Sequence, residues 1–173
     1  MMIFLPNFLL IKTNRETTMR NKKLEEIIDL AINREEIAYA FYQDLLMRVS
    51  DKTARETLEF LSREEQKHKE FLQRYKAGNY DATGLRMGTV VDYHLAEHLE
   101  KPDINKNMET REIYLVAAYR ELASFNFYTS LAEIQPAGEV KEMLSKIANE
   151  ELKHKEKVEY LYANTAFPQT DGG

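Results

Sequence analysis

The sequence predicts an all-α protein: a four-helix bundle built from two repeated helical hairpins with a long crossover connection. Glycine (6) and proline (4) are scarce among the 173 residues, which favours long, uninterrupted helices. Four stretches carry apolar residues at steps of three and four positions, the spacing of one helix face. The second half of the chain also repeats the first at an offset of 86 residues (His68 to His154), without any insertion.

The first hairpin is predicted from two helical patterns and the break between them. Residues 21–49 form the first helix. A tight break follows, and Thr53 with Glu56 three residues later is a candidate capping box for the second helix, over residues 53–76. Gly78 suits the end of that helix because glycine tolerates the left-handed conformation.

The connection between the hairpins, residues 78–106, is punctuated by glycine and proline, with a short helix expected over residues 89–99. It is long for a bundle and is expected to cross the end or side. The third helix is predicted over residues 108–134 with Asn107 as its N-cap, and the fourth ends near residue 163.

The sequence thus divides into an N-terminal extension of uncertain role (1–20), the bundle (21–164) and a flexible tail (165–173). The extension is interpreted either as a segment without structural role or as an arm that packs on a partner. Its first eleven residues are apolar, but the run is short and lacks a basic start and a cleavage pattern, which disfavours a signal peptide.

Bulk composition excludes several classes of function. The net charge of −5 argues against general nucleic-acid binding. No segment has the apolar length of a membrane span, so no membrane partner and a cytoplasmic location are expected. The absence of cysteine excludes disulfides, thiolate metal sites and thiol catalysis within this sequence.

Two Glu-x-x-His motifs carry the chemistry. Glu65 and His68 are three residues apart and therefore project from one helix face, and Glu151 repeats the arrangement with His154. A carboxylate and an imidazole that project together can hold a transition metal. A single motif of this kind is weak evidence, because a solvated charged helix also produces it.

The helix rise places a further carboxylate opposite each motif. Glu35 lies about 24 Å before the turn at Asp51, and Glu65 lies about 21 Å after it, at 1.5 Å per residue. The second hairpin gives the same result for Glu121. If the hairpins pack as a four-helix bundle related by a pseudo-twofold axis, six residues converge at mid-height: Glu35, Glu65, His68, Glu121, Glu151 and His154.

Four carboxylates in a bundle core are costly unless they are protonated or bind metal. Two divalent cations would offset their charge. Oxygen-rich ligands with one imidazole per metal suit iron or manganese better than structural zinc, which favours tetrahedral nitrogen and sulfur ligands. One glutamate on each of two helices plus Glu-x-x-His on each of the other two is the di-iron carboxylate pattern.

These motifs resemble the rubrerythrin-like branch of the ferritin-like di-iron proteins, without a rubredoxin domain. Each hairpin has Glu-x5-Phe-Tyr on its first helix and Glu-Glu-x-x-His on its second, and residues 91–97 are similar to that family's segment between hairpins. The resemblance implies that Glu65 and Glu151 bridge two iron ions, with manganese or zinc possible by substitution. Glu35 and Glu121 would be terminal carboxylates, and each histidine would hold one metal. No catalytic residue beyond the metal ligands is implied.

The resemblance also implies a function. It predicts an oxidoreductase that reduces hydrogen peroxide or reacts with dioxygen at a carboxylate-bridged di-iron centre. The alternative is ferritin-type iron oxidation and sequestration, and a third hypothesis is a metal-free helical interaction module. A homodimer or small homo-oligomer is expected, and hairpins could pair within one chain or be exchanged between two.

Two departures from rubrerythrins bear on the reaction. Rubrerythrins carry a rubredoxin domain whose iron is bound by four cysteines, so here electrons are expected from a separate donor such as a rubredoxin-type protein. Rubrerythrins also tend to carry a further carboxylate three residues from the third-helix glutamate, where this sequence has Ser124. The six-residue set is closer to that of bacterioferritin, which keeps iron oxidation open.

The remaining repeated residues have plainer interpretations. Tyr42 and Tyr128 are expected to be core aromatics, with hydrogen bonds to metal-binding carboxylates as the alternative. Arg34 and Arg120 are expected to form surface pairs. Surface charge is likewise expected for the glutamates next to the candidate ligands, Glu36, Glu64 and Glu150. A zinc site at His94 and His98 is disfavoured because no further ligands are visible.

Overall fold

The computed structural model describes residues 7–79, 85, 87–105 and 108–166, with side chains at Met19 and, within these ranges, from Asn21 onward. The described residues contain five helices and no strand. The helices are α1 (Asn7–Arg48), α2 (Lys52–Lys76), α3 (Leu95–His98), α4 (Thr110–Glu133) and α5 (Glu139–Ala166). The prediction of an all-α bundle is confirmed.

The four long helices pack mainly as α1 against α2 and α4 against α5. Two hydrogen bonds show the relative direction of α1 and α4. Tyr128 of α4 bonds to Glu35 of α1. Tyr42, which follows Glu35 in α1, bonds to Glu121, which precedes Tyr128 in α4. The two helices therefore run antiparallel. This is the relation expected if a pseudo-twofold axis perpendicular to the helices relates the repeats.

The core consists of two apolar clusters that lie on either side of a polar layer. One cluster includes Leu45, Leu58 and Val158, and the other includes Ile28 and Leu144, all at most 1% exposed. Between them, each long helix contributes one or two buried polar residues. The apolar clusters drive the packing, and the polar layer is held within the interior that they create.

The helix ends explain where the hairpins turn. The N-cap of α2 is Asp51, whose side chain accepts from the amide of Ala54, so the predicted capping box at Thr53 and Glu56 is wrong. Asp51 lies two residues before Thr53, immediately before the first helical residue, and provides the acceptor that the free amides need. At the other end of α2, Gly78 has φ +91°, as predicted for its left-handed conformation.

The predicted boundaries of the other helices differ from the structure in several places. Helix α1 begins at Asn7, well before residue 21, so part of the predicted extension is continuous with the bundle helix. Helix α3 is shorter than residues 89–99, and α5 continues to Ala166 rather than ending near residue 163. The N-terminal amides of α4 are capped by the pair Glu109 and Glu112.

Some predictions fall outside the described residues. These are the predicted cap Asn107, residues 1–6 of the extension and residues 167–173 of the tail. In the part of the chain that is described, none of the helices combines the length and hydrophobicity that crossing a bilayer requires.

The connection between the hairpins is attached to α5 by buried charges. Lys155 is fully buried and pairs with Asp92, with Glu97 at 3.1 Å and with Glu159 at 3.2 Å. Glu159 also accepts from the backbone amide of Ala96 at 2.9 Å, at the start of α3. These contacts fix the connection along the side of the second hairpin.

Candidate metal centre

The polar layer brings all six predicted residues together. Glu35 lies on α1, Glu65 and His68 on α2, Glu121 on α4, and Glu151 and His154 on α5, and none is more than 5% exposed. Each lies in the interior of its helix. The six residues converge at one height, as predicted. Metal binding by these residues stays a prediction.

The six residues form two overlapping clusters of possible ligands. One contains Glu35, Glu65, His68 and Glu151, and the other contains Glu65, Glu121, Glu151 and His154. In each cluster the candidate ligand atoms lie within 4.8 Å of one another. Glu65 and Glu151 are common to both clusters, which is the position that a carboxylate bridging two metals has to occupy.

The two clusters are nearly symmetric. His68 Nδ1 lies 3.6 Å from Glu35 Oε2 and 3.9 Å from Glu65 Oε2. His154 Nδ1 lies 3.6 Å from Glu121 Oε2 and 3.8 Å from Glu151 Oε2. The imidazole rings stack across the centre at 5.7 Å between centroids and 20° between planes. The symmetry breaks at one contact, because His68 Nδ1 also approaches Glu151 Oε1 to 3.0 Å.

The carboxylate oxygens and imidazole nitrogens that face one another in this layer lack hydrogen bonds of good geometry. Both oxygens of Glu65 and Glu151, one oxygen each of Glu35 and Glu121, and Nδ1 of both histidines are buried and form no hydrogen bond of good geometry in the described structure, although His68 Nδ1 lies 3.0 Å from Glu151 Oε1. Buried polar atoms are usually satisfied, because an unsatisfied group costs about 1–3 kcal/mol and more when charged. Carboxylate oxygens and imidazole nitrogens in this arrangement fit two divalent cations with mixed oxygen and nitrogen ligands.

The electrostatics of the site follow from burial and from the crowding of charges. Burial and the neighbouring carboxylates raise the pKa of Glu65 well above its ordinary value. Burial also raises the pKa of Glu121, to about 7, although His154 opposes the shift. For Glu151 burial disfavours ionisation, but contacts with both histidines hold its pKa below the ordinary value. Burial disfavours the charged form of His154 as well, yet Glu121 and Glu151 raise its pKa to about 9.

Two tyrosines hold the terminal carboxylates from the opposite helix. The hydroxyl of Tyr42 donates to Glu121 Oε1, and the hydroxyl of Tyr128 donates to Glu35 Oε1. Both tyrosines are fully buried. The sequence predicts core aromatics, with hydrogen bonds to metal-binding carboxylates as the alternative. The structure has both, because the rings pack in the core and the hydroxyls reach the carboxylates. The crossed pairing depends on the antiparallel arrangement of α1 and α4.

Ser124 occupies the position three residues after Glu121 and is 1% exposed. The described structure therefore has no seventh carboxylate at that position, in agreement with the symmetric six-residue set.

Other sequence predictions have mixed outcomes. Glu36 is exposed, as predicted, and lies 3.2 Å from Lys69. Glu64 and Glu150 are only 19% exposed, and each pairs with the lysine three residues later. The prediction of surface pairs for Arg34 and Arg120 is wrong, because neither forms an ion pair with a carboxylate among the described residues. A third group of possible ligands among the described residues consists of Asp92, His94 and Glu97.

That third group does not resemble the buried layer. His94 is 59% exposed, and its two carboxylate neighbours are already paired with Lys155. A lysine ammonium therefore stands where a cation would be expected. His98 does not belong to the group, so the zinc pair that the sequence disfavoured has no support.

The comparison with protein families gave one match. Residues 10–76 match the rubrerythrin family model. This segment contains α2 and nearly all of α1, and with them Glu35, Glu65 and His68. The predicted resemblance to rubrerythrin-like, ferritin-like proteins is confirmed, and the match supports a di-iron carboxylate protein. Comparisons with curated proteins and with solved structures gave no match.

Proposed function

We propose that this chain is a non-haem di-iron oxidoreductase that reduces hydrogen peroxide or reacts with dioxygen. The observation that carries the proposal is the pair of overlapping clusters that share Glu65 and Glu151. A surface cluster of acidic residues would not bury four carboxylates and two imidazoles with their donor atoms facing one another. The rubrerythrin match over the first hairpin supports the same class of centre.

The two clusters suggest a role for each residue. Glu65 and Glu151 would bridge, Glu35 with His68 would complete one iron site, and Glu121 with His154 would complete the other. When bound, two adjacent irons supply two electrons together, which suits the reduction of peroxide or dioxygen. The carboxylate-rich donor set favours iron or manganese over zinc, although zinc can substitute.

The protein groups around the centre have definable tasks. The two phenols fix the terminal carboxylates, and fixing a ligand through a neighbouring hydrogen bond commonly contributes about 10–100-fold in metal affinity. The apolar clusters above and below the layer exclude water. Because Glu121 has a pKa of about 7 and His154 one of about 9, both must release protons when they bind metal near neutral pH.

The electron source and the assembly belong to the proposal as well. Since the sequence contains no cysteine, it provides no site for a rubredoxin-type iron, and we infer a separate electron donor of that kind. A cytoplasmic homodimer or small homo-oligomer is the assembly that we propose.

A second candidate function is ferritin-type iron oxidation and sequestration. The observation that favours it is Ser124, which leaves a symmetric six-residue set. A native mass near that of a 24-subunit shell would support sequestration, as expected for ferritin-type cages. A mass of two to four subunits would support the oxidoreductase instead.

The test is an anaerobic Fe(II) titration followed by hydrogen peroxide. We expect saturation at two irons per chain, and then oxidation of both irons with a new near-ultraviolet ferric band and consumption of one peroxide per pair. His68→Ala and His154→Ala should each lose the two-iron end point. His94→Ala is the matched control, because this exposed histidine lies outside the clusters. Equal behaviour of all three variants, or no saturation at two, would defeat the proposal.

A further inference from the structure

We propose that Arg34 and Arg120 form a binding site for a small inorganic oxyanion beside the polar layer. The two residues, called here the arginine pair, occupy equivalent positions in the repeat. Arg34 lies on α1 and Arg120 on the antiparallel helix α4, each one residue before a terminal glutamate of the candidate metal centre. Arg120 Nη2 donates to the backbone carbonyl of Arg34 at 3.3 Å, so the two side chains meet at the contact between the helices.

The arginine pair has donors without acceptors. Nε and Nη2 of Arg34 and Nε of Arg120 are buried and have no hydrogen-bond partner in the described structure. No carboxylate of the described residues lies within ion-pair distance of either guanidinium. Other arginines differ in this respect, since Arg48 binds Asp44 through two hydrogen bonds and Arg55 donates to two backbone carbonyls.

An aromatic ring and the charge of the second arginine surround the guanidinium of Arg34. The guanidinium of Arg34 lies over the ring of Phe127, at 5.4 Å from the centroid. Burial and the charge of Arg120 lower the pKa of Arg34, whereas the charges of Glu35 and Glu151 raise it. Two like charges held together by rigid helices favour a negatively charged partner.

Metal binding would strengthen this preference. Two divalent cations offset the four carboxylates of the polar layer, which leaves the positive charges of the arginine pair uncompensated. This step rests on the proposed function, whereas the missing acceptors do not. The site should therefore bind an anion more tightly after metal is loaded.

The chemistry of the pair selects the class of ligand. A guanidinium presents its N–H donors in a planar fork that matches two oxygens of an oxyanion. Both side chains are half-buried, and their three unpartnered nitrogens are themselves buried. A compact tetrahedral oxyanion can accept from both forks at once, and inorganic phosphate is the probe that we choose.

The experiment measures phosphate binding to the full chain by isothermal titration calorimetry, first without metal and then after loading with zinc, which is diamagnetic and redox-inert. We expect saturable binding of one phosphate per chain, tighter in the loaded protein. Arg34→Gln and Arg120→Gln should each weaken binding by about tenfold or more, since each removes one charged fork. Arg63→Gln with Arg111→Gln, two exposed arginines, is the control for lost charge.

Each outcome of the phosphate titration supports or overturns the proposed anion site. Absence of saturable binding, or equal weakening by the control pair, would overturn the proposal. If phosphate binds only the metal-loaded chain, and with the same affinity in Arg34→Gln, it is a ligand of the metal. That result would also overturn the proposal. Arg34→Lys keeps the charge and loses the fork, so weakened phosphate binding by this variant supports the site even if the glutamine variant does not fold. Two metals should still bind to the arginine variants, which separates a failure here from a failure of the proposed function.

Discussion

Replacing Tyr42 with phenylalanine removes one hydroxyl from the polar layer and leaves the buried ring in place. The hydroxyl donates to Glu121, whose pKa of about 7 determines how much the hydrogen bond contributes. At pH 8.5 the carboxyl is mostly ionised, and a hydrogen bond to a charged group contributes about 1.5–3 kcal/mol. At pH 5.5 it is mostly neutral, and the contribution falls to about 0.5–1.5 kcal/mol.

We therefore expect Tyr42→Phe to lower the free energy of unfolding of the metal-free protein more at pH 8.5 than at pH 5.5. A loss of about 2 kcal/mol corresponds to a decrease of about 4–8 °C in Tm for a chain of this size. Urea denaturation followed by circular dichroism at both pH values measures the difference. Tyr128→Phe is the matched comparison, because its hydroxyl donates to Glu35 in the same way.

An equal and small loss at both pH values, below about 0.5 kcal/mol, would refute this role of the hydroxyl, since that is the usual effect of an inconsequential substitution. The tyrosines would then act only as core aromatics. Metal affinity gives an independent check, because loss of a hydrogen bond to a ligand should weaken binding by about 10–100-fold.

Three further predictions follow from the same geometry. Without metal, the raised pKa values of Glu121 and His154 stabilise the fold at low pH, and this stabilisation should be lost as pH rises from about 4.5 to about 9. Urea midpoints measured across that range test the direction, and a stability that rises with pH would contradict it. Metal affinity should instead rise with pH because the ligands must release protons, which proton uptake or release in calorimetry detects. Lys155→Met should destabilise by about 3–5 kcal/mol because it leaves the buried carboxylate of Glu159 without its cation, whereas Lys52→Met should have almost no effect because its side chain is 90% exposed.

The sign of the pH prediction depends on which groups change protonation in that window. The lowered pKa of Glu151 contributes stability that is lost only as pH falls below about 4.5, so it does not oppose the trend at higher pH. Glu65, whose pKa is raised well above its ordinary value, adds to the trend in the same direction as Glu121.

The sequence indicated the helical class, the repeat and the six residues that converge. It could do so because side-chain direction in a helix depends on spacing along the chain, and because the rise per residue places Glu35 and Glu65 at one height. The helix boundaries were less accurate. Asp51 caps α2 in place of Thr53, since several nearby side chains can accept from the first amides and only the local backbone selects one.

Contacts between helices could not be obtained from periodicity. The phenol of Tyr42 reaches Glu121 and not a residue of its own hairpin, because α1 and α4 pack antiparallel across the bundle. The prediction of surface pairs for Arg34 and Arg120 is wrong for the same reason, since each lies beside a ligand position but contacts the other helix. The fully buried Lys155 was not singled out, because its partners belong to the connection and come near it only in the fold.

Local helix geometry sets which residues share a helix face and at what height they lie, so both can be derived from spacing along the chain. Which faces meet depends on the packing of the whole fold. This packing brings Glu65 and Glu151 into both clusters, pairs each tyrosine with the opposite carboxylate and leaves three nitrogens of the arginine pair without acceptors. These outcomes depend on the packing of distant segments, which local spacing does not specify.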